Sequence, residues 1–424
     1  MPEYRADAKI AIAGTGAAGL AAAHLLGQRY DVTLYEKNAY LGGHTNTIVI
    51  EHGPDAGTPV DTGFIVYNDR NYPTFIRFLS RLGITGSPSD MSFSFSSRRD
   101  GIEYSSYVPN GLFAQKRNML RPSFYRMIAD ILRFNSESQR DLKAGLLGRT
   151  TLGTYLEKGN FSKQFMDWYL IPMGAAIWST PCDEMLDFPA ETFLRFFDNH
   201  GLLALKERPR WMYVPGGSHT YVRAVREQFS GRMYTNANVS RVRRALDKVY
   251  VAVDGKAENA YDYVVIAMHA DEALNVLADP SRDERRLLGA WRYTKNQAVL
   301  HSDVSAMPKA PRAWASWNYI REDELPGAPV SLTYHMNRLQ NLQTINPYFV
   351  SLNRHDALAE ERVLRRIDYE HPCYTNDSVR TQDELSVLNG AARTFFCGSY
   401  FGYGFHEDAV LSGVRVAEHF GVSL

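Results

Sequence analysis

Residues 10–27 read IAIAGTGAAGLAAAHLLG, and residues 31–36 read DVTLYE. The pattern predicts a short buried strand over 9–13, a glycine loop over 14–19, a helix over 20–28 and a second strand over 31–36. The first stretch is about as long as a membrane span, but its Gly and Ala content favours a strand followed by a buried helix. We therefore predict the βαβ beginning of a nucleotide-binding fold.

The glycine loop fits the pattern GxGxxG between a strand and a helix. Its glycines allow a tight turn, let a pyrophosphate approach the backbone, and let helix and strand pack closely. Glu36 ends the next strand, where a carboxylate can accept hydrogen bonds from ribose hydroxyls. A tight turn in a glycine-rich core would leave Glu36 unexplained, so we predict dinucleotide binding. The loop residues expected to contact the cofactor are Gly14, Gly16, Ala17, Ala18 and Gly19.

Composition limits the class of protein. The 424 residues suffice for roughly two to three domains, and 47 basic residues balance 47 acidic ones, which argues against a nucleic-acid partner. The three cysteines form no CxxC pair, so neither a disulfide framework nor a metal site is expected. The first residues lack a signal-peptide layout, and a cytoplasmic location is expected. The 25 Tyr and 21 Phe could line a large apolar cavity.

Strand and glycine patterns return late in the chain, at 239–268 and from 394 onward. We predict an α/β fold with a Rossmann-like cofactor domain built from segments 1–84, 207–285 and 389–424. An α+β substrate domain would comprise 85–206, which is mostly helical, and 286–388. Within it we expect a long helix over 121–145, beginning at Pro122, and another helix near 356–367.

Two further motifs resemble those of the FAD-dependent amine oxidase superfamily. The glycine doublet at 42–43 follows Glu36, and FFCGS (395–399) precedes GYGFHEDA (402–409). This family usually has Arg beside the doublet and an acid after Gly398, whereas this chain has His44 and Ser399. The resemblance implies an amine-oxidase-like fold and non-covalent FAD, with Cys397 a buried residue and not a flavin thioether. The further cofactor contacts it implies are Lys37, Gly42, Gly43, His44, Thr45, Gly63, Phe64, Val239, Ala267, Met268, Gly398, Ser399, Phe405, His406, Glu407 and Ala409.

Four strings indicate a closer resemblance: VDTGFIVYN (60–68), IPMGAAIWST (171–180), TYHMNRLQ (333–340) and GYGFHEDAV (402–410). They resemble a bacterial branch of NAD/FAD-binding proteins associated with cyclopropane-fatty-acid-synthase-like methyltransferases. The association implies a free or phospholipid-linked fatty acyl substrate, unsaturated or methyl-branched, desaturated by hydride transfer from an allylic carbon to flavin N5. The alternatives are a double-bond isomerase, an amine or polyene oxidase, and a non-catalytic FAD partner of a lipid methyltransferase.

The candidate catalytic residues are His406, Tyr334, Lys295 and Tyr67. His406 stands at the expected start of the helix beneath the flavin, as an acid, a base or a flavin contact. Tyr334 and His335 must point to opposite faces of their strand. Lys295 would act near flavin N5, unless Asn296 or Gln297 takes that place, and Tyr67 would lie on the substrate side.

Residues 111–133 are basic and amphipathic, with Lys116, Arg117, Arg121, Arg126 and Arg133 among apolar residues. Such a segment can lie on an anionic lipid surface, giving peripheral membrane association. It can equally be a core helix with a solvated basic face, and the sequence leaves both interpretations open.

Overall fold

A five-stranded parallel sheet forms the centre of one half of the molecule. The computed structural model describes residues 4–5, 7–204, 208–321, 330–354 and 358–424. The helix Ala17–Leu26 packs closely on the helix His406–His419. Gly413 lies at their contact, where a Cβ would be only 2.2 Å from the Ala18 carbonyl oxygen. The sheet joins parts of the chain far apart in sequence, and the predicted α/β architecture built from discontinuous segments is confirmed. Its strand order is Arg232–Tyr234, Asp31–Tyr35, Lys9–Ala13, Tyr263–Ile266 and Thr394–Phe396.

A mixed sheet forms the other half. Its neighbouring strands are antiparallel, apart from the parallel pair Phe93–Ser97 and Trp317–Arg321. The helix predicted near 356–367 is wrong from 363 onward, because this stretch pairs as a strand with residues 292–301; residues 355–357 lie outside the described ranges. The strand order is Val363–Cys373, Arg292–His301, Phe349–Leu352, Leu332–His335, Trp317–Arg321, Phe93–Ser97 and Ile102–Ser105.

A group of helices within residues 122–199, which we call the cap, follows the strand Ile102–Ser105 in the chain. Its longest helix, Pro122–Ala144, begins at the predicted proline and buries Phe124, Met127 and Phe134. The other cap helices are Leu152–Lys158, Lys163–Phe165, the π-helical Met166–Leu170, Ile171–Trp178 and Ala190–Asn199. The remaining α-helices with described bounds are Pro73–Arg81, His219–Gln228, Ala270–Val276, Arg282–Leu288, Met336–Leu339 and Asn376–Gln382. Across the described ranges, no helix is both long and apolar enough to cross a bilayer.

Small sheets complete the fold, and Asp61 ties one of them to distant segments. The fully buried Asp61 carboxylate accepts hydrogen bonds from Thr47 Oγ1 at 2.5 Å, from Ser218 N at 2.8 Å and from Gln340 Nε2 at 3.0 Å. Burial raises the pKa of Asp61 to about 7. The first small sheet pairs Thr47–Val49 with Pro59–Asp61. The second has the strand order Tyr67–Asn68, Trp211–Tyr213 and Ser87–Pro88. The third has the order Val239–Arg244, Val249–Val253 and Asn259–Tyr261.

Candidate cofactor and active site

The glycine loop has the geometry of an anion cradle. Gly14 has a φ of +105°, and a Cβ there would lie 2.3 Å from the Ala267 carbonyl oxygen. A Cβ on Gly19 would lie 2.1 Å from the Gly14 carbonyl oxygen. A Cβ on Gly16, in contrast, would meet no described atom within 4 Å. Gly16 thus faces open space at the start of the helix Ala17–Leu26, whose first turn has no side-chain cap among the described residues.

Glu36 is held in place by the loop itself. Its carboxylate accepts hydrogen bonds from Thr15 N at 3.1 Å, Thr15 Oγ1 at 2.5 Å and Asn38 N at 2.9 Å. Thr15 also accepts the Gly42 amide, on Oγ1 at 3.2 Å and on its carbonyl oxygen at 3.1 Å. Thr15 was not among the predicted site residues, although its hydroxyl inside the GxGxxG motif could have indicated a hydrogen bond to a neighbouring turn. A carboxylate has further lone pairs, so a role toward ribose stays a prediction for Glu36.

The glycine doublet lies directly against the glycine loop. Gly42 has a φ of +115° and Gly43 a φ of +60°, a region that glycine enters at little cost. A Cβ on Gly43 would lie 3.3 Å from Gly16 Cα, and one on Gly63 would lie 2.2 Å from the His44 carbonyl oxygen. The three glycine-bearing turns therefore pack together, as their shared cofactor role predicts.

Three histidines gather beside the doublet. The ring of His44 lies 5.2 Å from that of His371 and 6.3 Å from that of His269, and it stacks on Tyr369 at 4.8 Å. Asn296 Nδ2 donates to His371 Nδ1 at 3.1 Å, which leaves Nε2 as the donor of a neutral His371 ring. Burial lowers the pKa of His371 to about 4, and burial with the neighbouring histidines lowers the pKa of His44 well below its ordinary value.

Among the described residues, His44 Nε2 and His269 Nδ1 are buried without a hydrogen-bond partner, although His269 Nδ1 lies 3.7 Å from Glu370 Oε2. An unpartnered polar atom of this kind indicates a place where a ligand can bind. No sequence pattern links positions 44, 269 and 371; only the pairing of the strands Arg292–His301 and Val363–Cys373 brings His371 here.

His406 begins the last helix, as predicted, but its ring lies within the packing of the cofactor domain. Its Nε2 lies 2.9 Å from Thr45 Oγ1 and 3.1 Å from Tyr221 OH. The ring stacks on Phe64 at 3.5 Å and 10°. Burial lowers the pKa of His406 to about 3, so the ring is neutral near pH 7. This arrangement suits a positioning residue better than a general acid.

Glu407 was predicted to contact the cofactor, which stays a prediction; its carboxylate also holds a distant helix. Its two carboxylate oxygens accept the Thr74 amide at 3.0 Å and the Phe75 amide at 2.9 Å. These amides belong to the first turn of the helix Pro73–Arg81, which has no side-chain cap from Tyr72. Glu407 is therefore the N-terminal cap of a helix more than 300 residues earlier in the chain.

Gly398 packs against Met268, the neighbour of the residue Ala267 that contacts Gly14. Gly398 N donates to Ser412 Oγ at 2.9 Å, and a Cβ on Gly398 would lie 3.3 Å from the Met268 carbonyl oxygen. Cys397 is fully buried, and burial raises the pKa of its thiol to about 12. Ser399 and Phe405 are half-buried, and Ala409 is buried in the last helix.

Two predicted cofactor residues lie at the edge of this region. Lys37 is exposed, and its Nζ pairs with Glu272 Oε1 at 2.6 Å. Val239 is buried in the cluster of apolar side chains that includes Val242 and Val249, two residues after Ala237, whose amide donates to the Glu36 carbonyl oxygen at 2.8 Å. Their contacts with a cofactor stay predictions.

Two predicted catalytic residues, Lys295 and Tyr67, differ in their exposure to solvent. Lys295 lies on the exposed side of its strand, and its neighbour Asn296 takes the buried side. Tyr67 is 1% exposed, with its ring edge-on to Phe75 at 5.2 Å. A Cβ on Gly86 would lie 1.8 Å from the Tyr67 hydroxyl, so that hydroxyl is packed against backbone. This packing does not support catalytic roles for Lys295 and Tyr67, which stay predictions.

Tyr334 remains a candidate. Its half-buried ring lies edge-on to Trp317 at 5.1 Å, and its hydroxyl has no hydrogen-bond partner in the described part of the chain. His335 points the other way, with its ring 5.1 Å from Phe349, as strand alternation predicts. Burial raises the pKa of Tyr334, so its hydroxyl stays protonated and can donate a hydrogen bond.

An aromatic wall, which we define as Trp178, Phe188, Phe196, Tyr403 and Phe405, joins the cap to the C-terminal loop. The ring of Phe196 lies 4.9 Å from Phe405, 4.7 Å from Trp178 and 6.1 Å from Tyr403. Phe188 lies 4.6 Å from Trp178. The wall stands directly before the helix that begins at His406.

These features define the class of the protein as a dinucleotide-binding α/β protein. An open Gly16, an uncapped helix start and unpartnered histidine nitrogens fit the anionic, hydrogen-bonding half of FAD. A model of the flavin-containing amine oxidoreductases matches residues 17–302, more than half of the chain. The chain belongs to this family, and it is an FAD-dependent oxidoreductase.

Solved structures share the fold. A CLA-producing fatty acid isomerase from P. acnes is similar with a TM-score of 0.68 and 17% identity, covering 99% of this chain and 100% of that chain. Putrescine oxidase bound to putrescine gives 0.70 and 14%, covering 97% and 98%. Cyclohexylamine oxidase from Brevibacterium oxydans IH-35A gives 0.67 and 14%, covering 98% of both chains. No curated protein sequence matches the chain.

Proposed function

We propose that the chain oxidises an unsaturated or methyl-branched fatty acyl chain, free or phospholipid-linked, and introduces a double bond. The observation that carries this proposal is the pair of half-buried rings Tyr403 and Phe405 beside the start of the last helix, backed by the buried Trp178, Phe188 and Phe196 of the aromatic wall. Aromatic and aliphatic surfaces bind acyl chains by excluding water, and they supply no charge to anchor an ionic substrate.

Bound FAD would supply the two-electron acceptor for a substrate C–H bond. The chain's own residues would hold the acyl chain and keep water out. The Tyr334 hydroxyl can donate a hydrogen bond, because it is protonated and has no partner in the described residues. His406 would keep Phe64 and Thr45 in place through its stacking and hydrogen bond. The substrate would lose a hydride to FAD and a proton to water, so the mechanism relies on position more than on an acid–base side chain.

The similar structures are compatible with an acyl substrate and do not select it. The fatty acid isomerase and the two amine oxidases share this fold almost end to end, so the fold suits either kind of substrate. The local features that favour the acyl chain are Phe405, standing where the family resemblance places an aromatic cage, and the exposed Lys295. An amine oxidase that uses a lysine near flavin N5 would need that side chain inside.

The test is anaerobic mixing of the FAD-loaded protein with a panel of candidate substrates. Unsaturated and methyl-branched phospholipids should bleach the oxidised-flavin absorbance, whereas saturated straight-chain lipids, putrescine and cyclohexylamine should not. Bleaching by amines alone would overturn the proposal in favour of an amine oxidase. Absence of bleaching by every lipid, together with a stable complex with a cyclopropane-synthase-like methyltransferase, would favour a non-catalytic FAD partner.

A further inference from the structure

Exposed apolar side chains cluster where the long cap helix begins. Leu120 is 87% exposed, Met119 50% and Tyr125 48%. The Tyr125 hydroxyl donates to the Met119 carbonyl oxygen at 3.0 Å, so these side chains belong to one surface. Leu132, also exposed, follows Tyr125 by seven residues, which places it on the same face of the helix. We call Met119, Leu120, Tyr125 and Leu132 the tip patch.

Three cations adjoin the tip patch along the chain. Lys116 and Arg117 are exposed in the 3₁₀ turn Lys116–Leu120, and Arg121 follows it. Within the described ranges, none of the three forms an ion pair with a carboxylate; Arg117 donates to Gln115 and Arg121 to the Asp100 carbonyl oxygen. An apolar tip edged by unpaired cations is complementary to a surface with an apolar interior and anionic headgroups.

The structure also excludes lipid contact through the apolar face of the long cap helix, which the sequence left open. The apolar face of Pro122–Ala144 is used inside the cap, where Phe124, Met127 and Phe134 are fully buried. Arg133 is likewise occupied, because it pairs with Asp130 at 3.1 Å and lies 3.9 Å above the Phe161 ring. Lipid contact through the whole segment 111–133 would require unfolding the cap, whereas the tip patch needs no rearrangement.

We propose that the tip patch and its three cations dock the protein on the surface of an anionic phospholipid bilayer. Leu120 and Met119 would enter the headgroup boundary, and Lys116, Arg117 and Arg121 would contact lipid phosphates. This docking is independent of the proposed reaction, because it requires neither FAD reduction nor an acyl substrate in the active site. The two proposals can therefore fail separately.

The experiment is flotation of the full-length, FAD-loaded protein with vesicles of phosphatidylcholine alone or mixed with phosphatidylglycerol. Binding should occur on the mixed vesicles and weaken as salt is raised. The double variant Lys116→Gln/Arg117→Gln should weaken partitioning about 25-fold, since each cation near the surface contributes about fivefold. Leu120→Ser should weaken it about tenfold or more.

Matched controls lie elsewhere on the surface. Leu246 is 100% exposed and Arg226 is exposed on the helix His219–Gln228, so Leu246→Ser and Arg226→Gln should leave vesicle binding unchanged. Flavin absorbance and circular dichroism of each variant verify that it is folded. The proposal is overturned if mixed vesicles do not bind the protein, or if the tip variants bind like their controls. Self-association that Leu120→Ser abolishes, without vesicle binding, would instead make the patch a protein interface.

Discussion

His406 is the residue whose structural setting most changes its expected role. Its neutral ring bridges Thr45, Tyr221 and Phe64, so we expect His406→Gln to slow flavin reduction by less than about tenfold. Loss of a general acid or base costs about a hundredfold or more. The pH profile of the reduction rate should keep its shape, because the pKa of His406 lies at about 3. If the His406→Gln profile lacked an ionisation near neutral pH that the unmodified protein shows, His406 would have an acid–base role.

Glu407 has a structural role that can be measured without any substrate. Glu407→Ala removes both hydrogen bonds to the first turn of the helix Pro73–Arg81, and the free energy of unfolding should fall by about 1 kcal/mol. Glu418→Ala is the control, since Glu418 is exposed on the same last helix. Urea denaturation measures both variants. Equal stabilities would show that the cap contributes nothing.

At the scale of the elements, the glycine loop offers a matched pair of substitutions. Gly16→Ala adds a methyl group where no described atom lies within 4 Å, so the apoprotein should keep its stability while FAD binds about tenfold or more weakly. Gly14→Ala forces a methyl group to 2.3 Å from the Ala267 oxygen and should destabilise the apoprotein itself by about 1–3 kcal/mol.

Fluorescence titration with FAD and denaturation of the apoproteins separate the two effects. Unchanged FAD affinity in Gly16→Ala would mean that the pyrophosphate does not approach this turn.

Local elements were predictable where their signals are local. The βαβ start, the helix after Pro122 and the last helix beginning at His406 follow from glycine spacing, proline position and periodicity. The strand Val363–Cys373 was missed because pairing with residues 292–301 decides its conformation. The histidine cluster and the Glu407 cap escaped prediction for the same reason, since each joins side chains hundreds of residues apart.

At the scale of the molecule, Asp61 links three distant parts of the chain and should make stability depend on pH. Its folded pKa of about 7 lies above the ordinary value of about 3.9 for an aspartate. Its contribution is therefore fully present below about pH 4 and is lost as the pH rises through about 7.

Asp61→Asn should flatten the decline in the free energy of unfolding across that interval, as followed by denaturation at several pH values. Asp31→Asn is the control, since Asp31 is half-exposed and pairs with Arg232 at the surface. An unchanged slope in Asp61→Asn would show that this carboxyl does not titrate with folding.

The central claim, that this FAD-dependent oxidoreductase desaturates an acyl chain, is tested most directly by a single anaerobic turnover followed by mass spectrometry of the lipid. We expect an unsaturated or methyl-branched acyl chain to lose two hydrogen atoms, in molar proportion to the flavin that is reduced. The claim is contradicted if the acyl chain keeps its mass and the flavin stays fully oxidised, in a preparation whose flavin putrescine or cyclohexylamine does reduce.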